Sequence, residues 1–164
     1  MAQEKFPVTP AVRVLRSAGV AFVGHLYTYE HRGGTAHSSR ALGVDEHQVI
    51  KTLVLEDQDK RPLIALMHGD REVSTRGLAR ALGLRSVTPC EPSVATRHTG
   101  YEVGGTSPFG TRKQLPVYVQ PSVLELELIY INGGKRGFLV EIQPSELVRV
   151  LRATPVEMSA GGGD

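Results

Sequence analysis

The stretch Gly100-Tyr101-Glu102-Val103-Gly104-Gly105-Thr106-Ser107-Pro108-Phe109-Gly110-Thr111-Arg112 limits what this chain can build more than any other. Glycine and proline at this density exclude a helix interior. Gly104-Gly105 lets the backbone come close to a ligand or to another segment, because no Cβ stands in the way. Ser107-Pro108 holds Ser107 in an extended or turn geometry. The expected result is a stiff loop that offers backbone N–H groups and the hydroxyls of Thr106 and Ser107. Such a loop can hold an anion or an oxyanion. A plain glycine-rich turn accounts for the same residues.

The segments around this loop alternate between helical and extended patterns. Thr9-Pro10 opens a first helix, with Thr9 as N-cap and Pro10 at the first helical position, and Gly19 ends it. Val20 to Tyr29 reads as a strand. Thr35 to Leu42 reads as a short helix closed by Gly43. Asp45 and Gln48 have capping-box spacing for one helical turn, which runs into the apolar strand Val49–Leu55. Leu63–Met67 returns as the second arm of a hairpin. Ser74 caps a helix that Gly83 stops. Arg85–Thr88 is a short strand, and Pro89–Thr99 a loop with one helical turn after Pro92. Leu115–Val119 is a strand placed near an edge by Pro116. A short helix over Ser122–Leu126 follows. Leu128–Asn132 and Phe138–Ile142 form a hairpin around Gly133–Gly137. A last helix runs from Pro144-Ser145 to Leu151, Thr154–Met158 adds a strand, and Ala160–Asp164 is a glycine-rich tail. Hairpin-joined strands mixed with helices predict an α+β fold with a mixed, largely antiparallel sheet. The length of 164 residues predicts a single domain over residues 1–164.

Lys51 is the anomaly in the Val49–Leu55 run. A lysine there must snorkel, pair or meet an anion, or lie on the solvent face of an amphipathic strand. Lys135 and Arg136 sit in the second glycine-rich turn, which by itself is an ordinary hairpin turn. The histidines show no metal-ligand spacing, and no Cys-x-x-Cys occurs, so no metal and no cofactor is expected. His31 and His37 flank the glycine pair Gly33-Gly34. Cys90 is the only cysteine. It excludes an internal disulfide, fits a reducing cytoplasm and reads as structural. Gly-x-Ser-x-Gly and the phosphate-binding Gly-x-x-x-x-Gly-Lys loop are absent, which argues against a nucleophile-elbow hydrolase and ATP chemistry. Met1–Pro7 lacks the apolar core of a signal peptide, and no run is long enough to span a membrane. A net charge of +2 permits an acidic partner without demanding one. An enzyme built from these parts works by positioning and backbone donors rather than by covalent attack.

At these same residues the sequence resembles the YbaK branch of the prolyl-tRNA synthetase editing-domain family. The resemblance lies in Val49-Ile50-Lys51-Thr52-Leu53, Val103–Gly110 and Gly133–Gly137, with Thr9-Pro10-Ala11-Val12 and Tyr27-Thr28-Tyr29-Glu30-His31 in the same order. It covers about residues 9–151. It implies a barrel-like core sheet with surrounding helices, and a free-standing aminoacyl-tRNA deacylase. Such an enzyme cleaves the ester between a wrong amino acid and the terminal ribose of mischarged tRNA, chiefly Cys-tRNA(Pro) and also Cys-tRNA(Cys). An Ala-tRNA(Pro) deacylase and a non-catalytic module that binds aminoacyl-tRNA or a synthetase are the alternatives. The resemblance makes Lys51 the functional lysine. It places Tyr29 and Thr52 in the pocket, the loop Gly104, Gly105, Thr106, Ser107 and Pro108 against the terminal adenosine or ester, and Gly133 and Gly134 on the facing wall. Prolyl-tRNA synthetase is the candidate protein partner. Two departures bear on substrate identity: the segment Arg32–His37 is short, and Leu139 stands where such proteins often carry Asp.

Overall fold

The structure is a computed structural model that describes residues 5–161. The glycine-rich tail expected at Ala160–Asp164 lies mostly outside them, as does most of the Met1–Pro7 segment read for a signal peptide. Along the chain run α1 (Pro10–Ser17), β1 (Val23–Leu26), α2 (Gly34–Leu42), a 3-10 turn (Glu46–Gln48), β2 (Val49–Asp57) and β3 (Pro62–His68). Then come α3 (Thr75–Leu82), β4 (Val87–Pro89), α4 (Pro92–Thr99), β5 (Val117–Val119) and a second 3-10 turn (Pro121–Glu125). β6 (Ile129–Lys135), β7 (Phe138–Ile142), α5 (Ser145–Leu151) and β8 (Thr154–Pro155) complete the described chain. Among the described residues no helix is long and apolar enough to cross a membrane.

The strands form one mixed sheet in the order β1-β7-β6-β2-β3-β5-β8, with β4 also on β2. The pairs β1–β7, β6–β7, β2–β3 and β2–β4 are antiparallel. The pairs β2–β6, β3–β5 and β5–β8 are parallel. This is the expected α+β fold with a mixed sheet. β3 lies between β2 and β5 and is apolar on both faces. Ile64 and Leu66 join a large core with Ala11, Val12 and Leu15 of α1 and Ile131 and Val140 of the β6–β7 hairpin. Leu63, Ala65 and Met67 face a second core with Leu78 and Ala79 of α3 and Met158. Strands covered on both sides read as continuous apolar runs rather than alternating ones.

Local signals set several boundaries well. The Thr9 hydroxyl accepts from Val12 N at the start of α1, and the Ser74 hydroxyl accepts from Gly77 N at the start of α3. Asp45 caps its turn by accepting from His47 N, whereas the Gln48 side chain reaches Leu128 O, so the box is not reciprocal. Three elements differ from expectation. β1 is shorter than Val20–Tyr29, because it pairs only with the five-residue β7 from Val23↔Glu141 to Leu26↔Phe138. α4 makes two turns where one was expected, held by burial of Ala95, His98 and Thr99 despite its β-branched content. β5 is not an edge strand: β3 and β8 flank it, and Pro116 lies just outside it.

Candidate functional site

The candidate site forms where two strands part. On one edge β2 pairs with β3 throughout. On its other edge it pairs with β6 only at Val49 and Ile50, and with β4 only from Leu55 onward. Between these contacts, at Lys51–Val54, the sheet opens. β6 leaves β2 at Asn132, where a bulge shifts its register to β7 between Asn132 and Lys135. The Gly100–Arg112 loop leans on the departing strand. Asn132 Nδ2 donates to Gly104 O at 3.2 Å, and Arg136 Nε donates to Val103 O at 2.9 Å. The resulting cleft holds about 560 Å³, within the range of small-ligand sites.

Of the residues singled out in the sequence, Tyr29, Lys51, Thr52, Gly104 and Thr106 line this cleft. The Lys51 side chain is 19% exposed, and its Nζ lies 3.4 Å from Glu72 Oε1. Glu72 is 83% exposed, so the pair is a long, solvated one of the kind that contributes little and that an incoming anion can displace. The Thr52 hydroxyl is buried and has no hydrogen-bond partner among the described residues. The Arg136 guanidinium stacks 5.1 Å above the Tyr29 ring. Gly104, at φ +91°, lets that ring lie against the loop, since a Cβ would stand 2.6 Å from the Tyr29 hydroxyl.

Gly105, Ser107, Pro108, Gly133 and Gly134 do not line the cleft. The expectation that the loop offers both hydroxyls is corrected at Ser107, which is fully buried with its Oγ accepting from Phe109 N. The Thr106 hydroxyl donates back to Glu102 O at 3.3 Å. Gly105 is a packing position, where a Cβ would come within 2.7 Å of Arg136 N. Gly133 O accepts from the Thr9 hydroxyl, which ties the bulge to α1. Gly134 packs against Tyr101 and Thr9.

Several lining features escaped the sequence reading. The α2 N-terminus opens onto the cleft through Gly33, Gly34 and Thr35, and its N-cap Gly33 provides no side-chain cap. Uncapped first-turn amides and the positive end of the helix dipole favour an anion there. Arg136, read as part of an ordinary turn, lines the wall, and so do His31 and His37, which the sequence reading had noted beside Gly33-Gly34. Burial raises the Tyr27 hydroxyl above its usual range, so it stays protonated. Leu139 closes one side with an apolar surface. The dipeptide Gly33-Gly34 before a helical pattern was the available signal for the α2 end. Nothing in the sequence marked the parting of β2 from β6.

Two other groups lie outside the cleft. Burial, followed by the neighbouring Glu56 carboxylate, pushes the Cys90 thiol up to about 11, so it is an unreactive thiol. His47, His68 and Asp70 bring ligand atoms within 4.8 Å of one another, a cluster the sequence spacing did not suggest. His68 has no lone pair to spare. Its Nδ1 donates to His47 O at 2.7 Å, so its Nε2 accepts from the Ser122 hydroxyl at 2.7 Å.

The geometry thus defines a mixed-sheet domain with a small-ligand cleft whose lining sets Arg32, Lys51 and Arg136 among Glu30, Glu46 and Glu72, with the apolar Leu139 on one side. Residues 31–150 match the aminoacyl-tRNA editing domain family, and the chain belongs to it. It is 27% identical over 152 residues to a candidate Cys-tRNA(Pro)/Cys-tRNA(Cys) deacylase, EbsC, of Enterococcus faecalis, covering 92% of this chain and 93% of that one. It is 34% identical over 82 residues to the proline–tRNA ligase of Citrifermentans bemidjiense, covering 50% of this chain and 14% of the ligase. The fold matches the crystal structure of a candidate trans-editing enzyme for prolyl-tRNA synthetase with a TM-score of 0.80 at 21% identity, over 94% of this chain and all of that one.

Proposed function

We propose that this protein is a single-domain, cytoplasmic trans-editing deacylase that clears Cys-tRNA(Pro). The observation that carries the reading is the placement of Lys51, paired with exposed Glu72, in one cleft with Gly104 and the uncapped end of α2. An aminoacyl ester is already reactive, so the site needs orientation and stabilisation of developing negative charge more than a protein nucleophile. Lys51 grips the phosphate beside the terminal adenosine or steadies the breaking ester. Tyr29, Thr52, Gly104 and Thr106 border the substrate. Gly105, Ser107, Pro108, Gly133 and Gly134 act by shaping that border from behind.

With a cysteinyl ester the substrate's own thiol attacks the carbonyl carbon. A C–S bond forms and the bond from that carbon to the ribose oxygen breaks. The thiol proton ends on the ribose hydroxyl, and a cyclic thiolactone leaves. With an alanyl ester a water takes the place of the thiol. The apolar Leu139 wall favours a small uncharged side chain over a charged one. Likeness to EbsC supports cysteine, and likeness to the proline–tRNA ligase supports tRNA(Pro) and an association with that synthetase.

The test is a deacylation panel of Cys-, Ala-, Ser- and Pro-tRNA(Pro) with Cys-tRNA(Cys). The expected result is loss of Cys-tRNA(Pro) and sparing of Pro-tRNA(Pro). Alanine cleared with cysteine untouched would move the protein to an Ala-tRNA(Pro) deacylase. Tight binding with no ester cleaved would make it a non-catalytic module.

A further inference from the structure

A second groove lies along α3, outside the cleft. It holds about 440 Å³ and is lined on its polar side by Thr75, Arg76, Arg80, Arg85 and Ser86. Arg76 and Arg80 are four residues apart on α3, so their side chains leave the same helix face about 6 Å apart along the axis. Arg85 follows just after the helix, with its backbone N–H fixed by the Gln58 side-chain oxygen at 3.1 Å. All three arginines are exposed, and among the described residues none forms an ion pair with a carboxylate. The pairs that do form occupy other cations.

The charge is concentrated here. Between Arg71 and Arg85 four arginines meet only one glutamate, so this segment is more positive than the whole chain with its net +2. Unpaired arginines in a row are mutually repulsive, and an anionic partner relieves that repulsion. The guanidinium fork suits phosphate oxygens. No aromatic residue lines the groove, so it has nothing on which to stack a base. Those features fit a nucleic-acid backbone read for charge and not for sequence.

The groove is also close to the cleft. Glu72 borders the cleft and Thr75 borders the groove. Three residues of chain reach at most about 11 Å, so one nucleic acid can touch both.

We propose that the Arg76–Arg80–Arg85 groove is a phosphate track that carries the double-stranded acceptor arm of the tRNA while its 3′ end enters the cleft. This rests on the editing reading for the identity of the RNA, though not for the binding itself. The track contacts about three phosphates, so it provides affinity without selecting among tRNAs.

The experiment measures binding of uncharged tRNA(Pro) and uncharged tRNA(Cys) transcripts across a potassium chloride series. Three proteins are compared: wild type, the triple variant Arg76→Ala, Arg80→Ala, Arg85→Ala, and the triple variant with lysine at the same positions. Circular dichroism and melting confirm that each is folded. The alanine variant should bind both transcripts about tenfold or more weakly near 0.1 M salt. Its log–log salt slope should be shallower by about 2.7, the value for some three lost phosphate contacts on a duplex. The lysine variant should keep most of the slope, because a backbone contact requires charge first. On aminoacylated full-length tRNA the loss should fall in KM and not in kcat. Binding and slope unchanged in the alanine variant would overturn the proposal and leave the arginines to an acidic protein surface. A deacylation panel that is silent while the alanine variant loses RNA binding would sink the deacylase reading and uphold the track.

Discussion

Two glycine-containing segments border the cleft, and they use glycine in opposite ways. The Gly100–Arg112 loop exposes Glu102, Val103 and Gly104 but buries Ser107, Pro108 and Phe109 and is pressed there against the rest of the fold. At Gly110, with φ +69°, a Cβ would stand 2.7 Å from the backbone of Pro10. The Arg32–Gly34 segment is open. Gly34 has φ +59°, yet a Cβ there would meet nothing within 4 Å. In the first set Gly105 and Gly110 permit close approach of backbone to backbone and Gly104 that of the Tyr29 ring; in the second Gly33 makes room for His37, while Gly34 permits a turn that bares a helix end. Richness in glycine therefore does not by itself mark ligand contact. In the longer loop Gly104 and Thr106 border the cleft, while Gly105, Ser107 and Pro108 hold its shape from behind.

The largest effect that would break this comparison is on stability. Gly110→Ala combines an overpacked backbone contact with an unfavourable positive φ and should cost about 3 kcal/mol. For a domain of this length that lowers Tm by roughly 10 °C, which a calorimetric scan reads directly. A drop of only a degree or two would mean that the loop yields and is not the rigid wall described above.

Thr52→Val comes next. The variant removes a buried hydroxyl that has no partner, so melting should not fall. Deacylation should slow by about tenfold, the scale of one lost hydrogen bond to substrate. Full activity would return Thr52 to a packing role.

Gly34→Ala should cost only about 1 kcal/mol, the strain of a left-handed residue with open space around it. Its Tm should fall by roughly 3 °C. A loss as large as that of Gly110→Ala would erase the distinction between the two segments.

The smallest effect is a pH dependence from the polar anchor beside the cleft. Burial, opposed by the hydrogen bond to His47 O, lowers the His68 pKa below its usual 6.5. The unfolded chain then binds the proton more readily than the native one, so stability is full above about 6.5 and declines as pH falls toward the depressed native value. Tm should drop between pH 7.5 and 5.5, and His68→Asn should flatten part of that slope. An identical slope in both proteins would assign the effect to other groups.

Much of the fold was legible because its signals are local. Thr9-Pro10, Ser74 with Gly83, and the two apolar arms Val49–Leu55 and Leu63–Met67 each announce themselves within a few residues. Lys51 was legible as a misfit in an apolar strand, and the structure places it at the mouth of a cleft. What could not be read depends on partners distant in the chain. β1 is cut to four residues by the length of β7, and α4 is held by tertiary burial. The cleft exists because β6 leaves β2 after two paired residues, a consequence of the bulge and of Asn132 bonding to Gly104. Arg76, Arg80 and Arg85 carried no signal in the sequence, and only the helix and the following turn put them in one groove.

The central claim is that chemistry is centred on Lys51. Its most direct test is single-turnover deacylation of Cys-tRNA(Pro) by folded Lys51→Ala protein, with Lys51→Arg in parallel. A partly buried strand position accepts alanine at modest cost, so circular dichroism and Tm should hold. The rate should fall by at least about 10²-fold, the scale of one oriented electrostatic contact in a transition state. Arginine should restore only part of it, since a planar fork does not reproduce a compact ammonium. Near-normal turnover by the folded alanine variant would contradict the account and reduce Lys51 to the partner of an exposed glutamate.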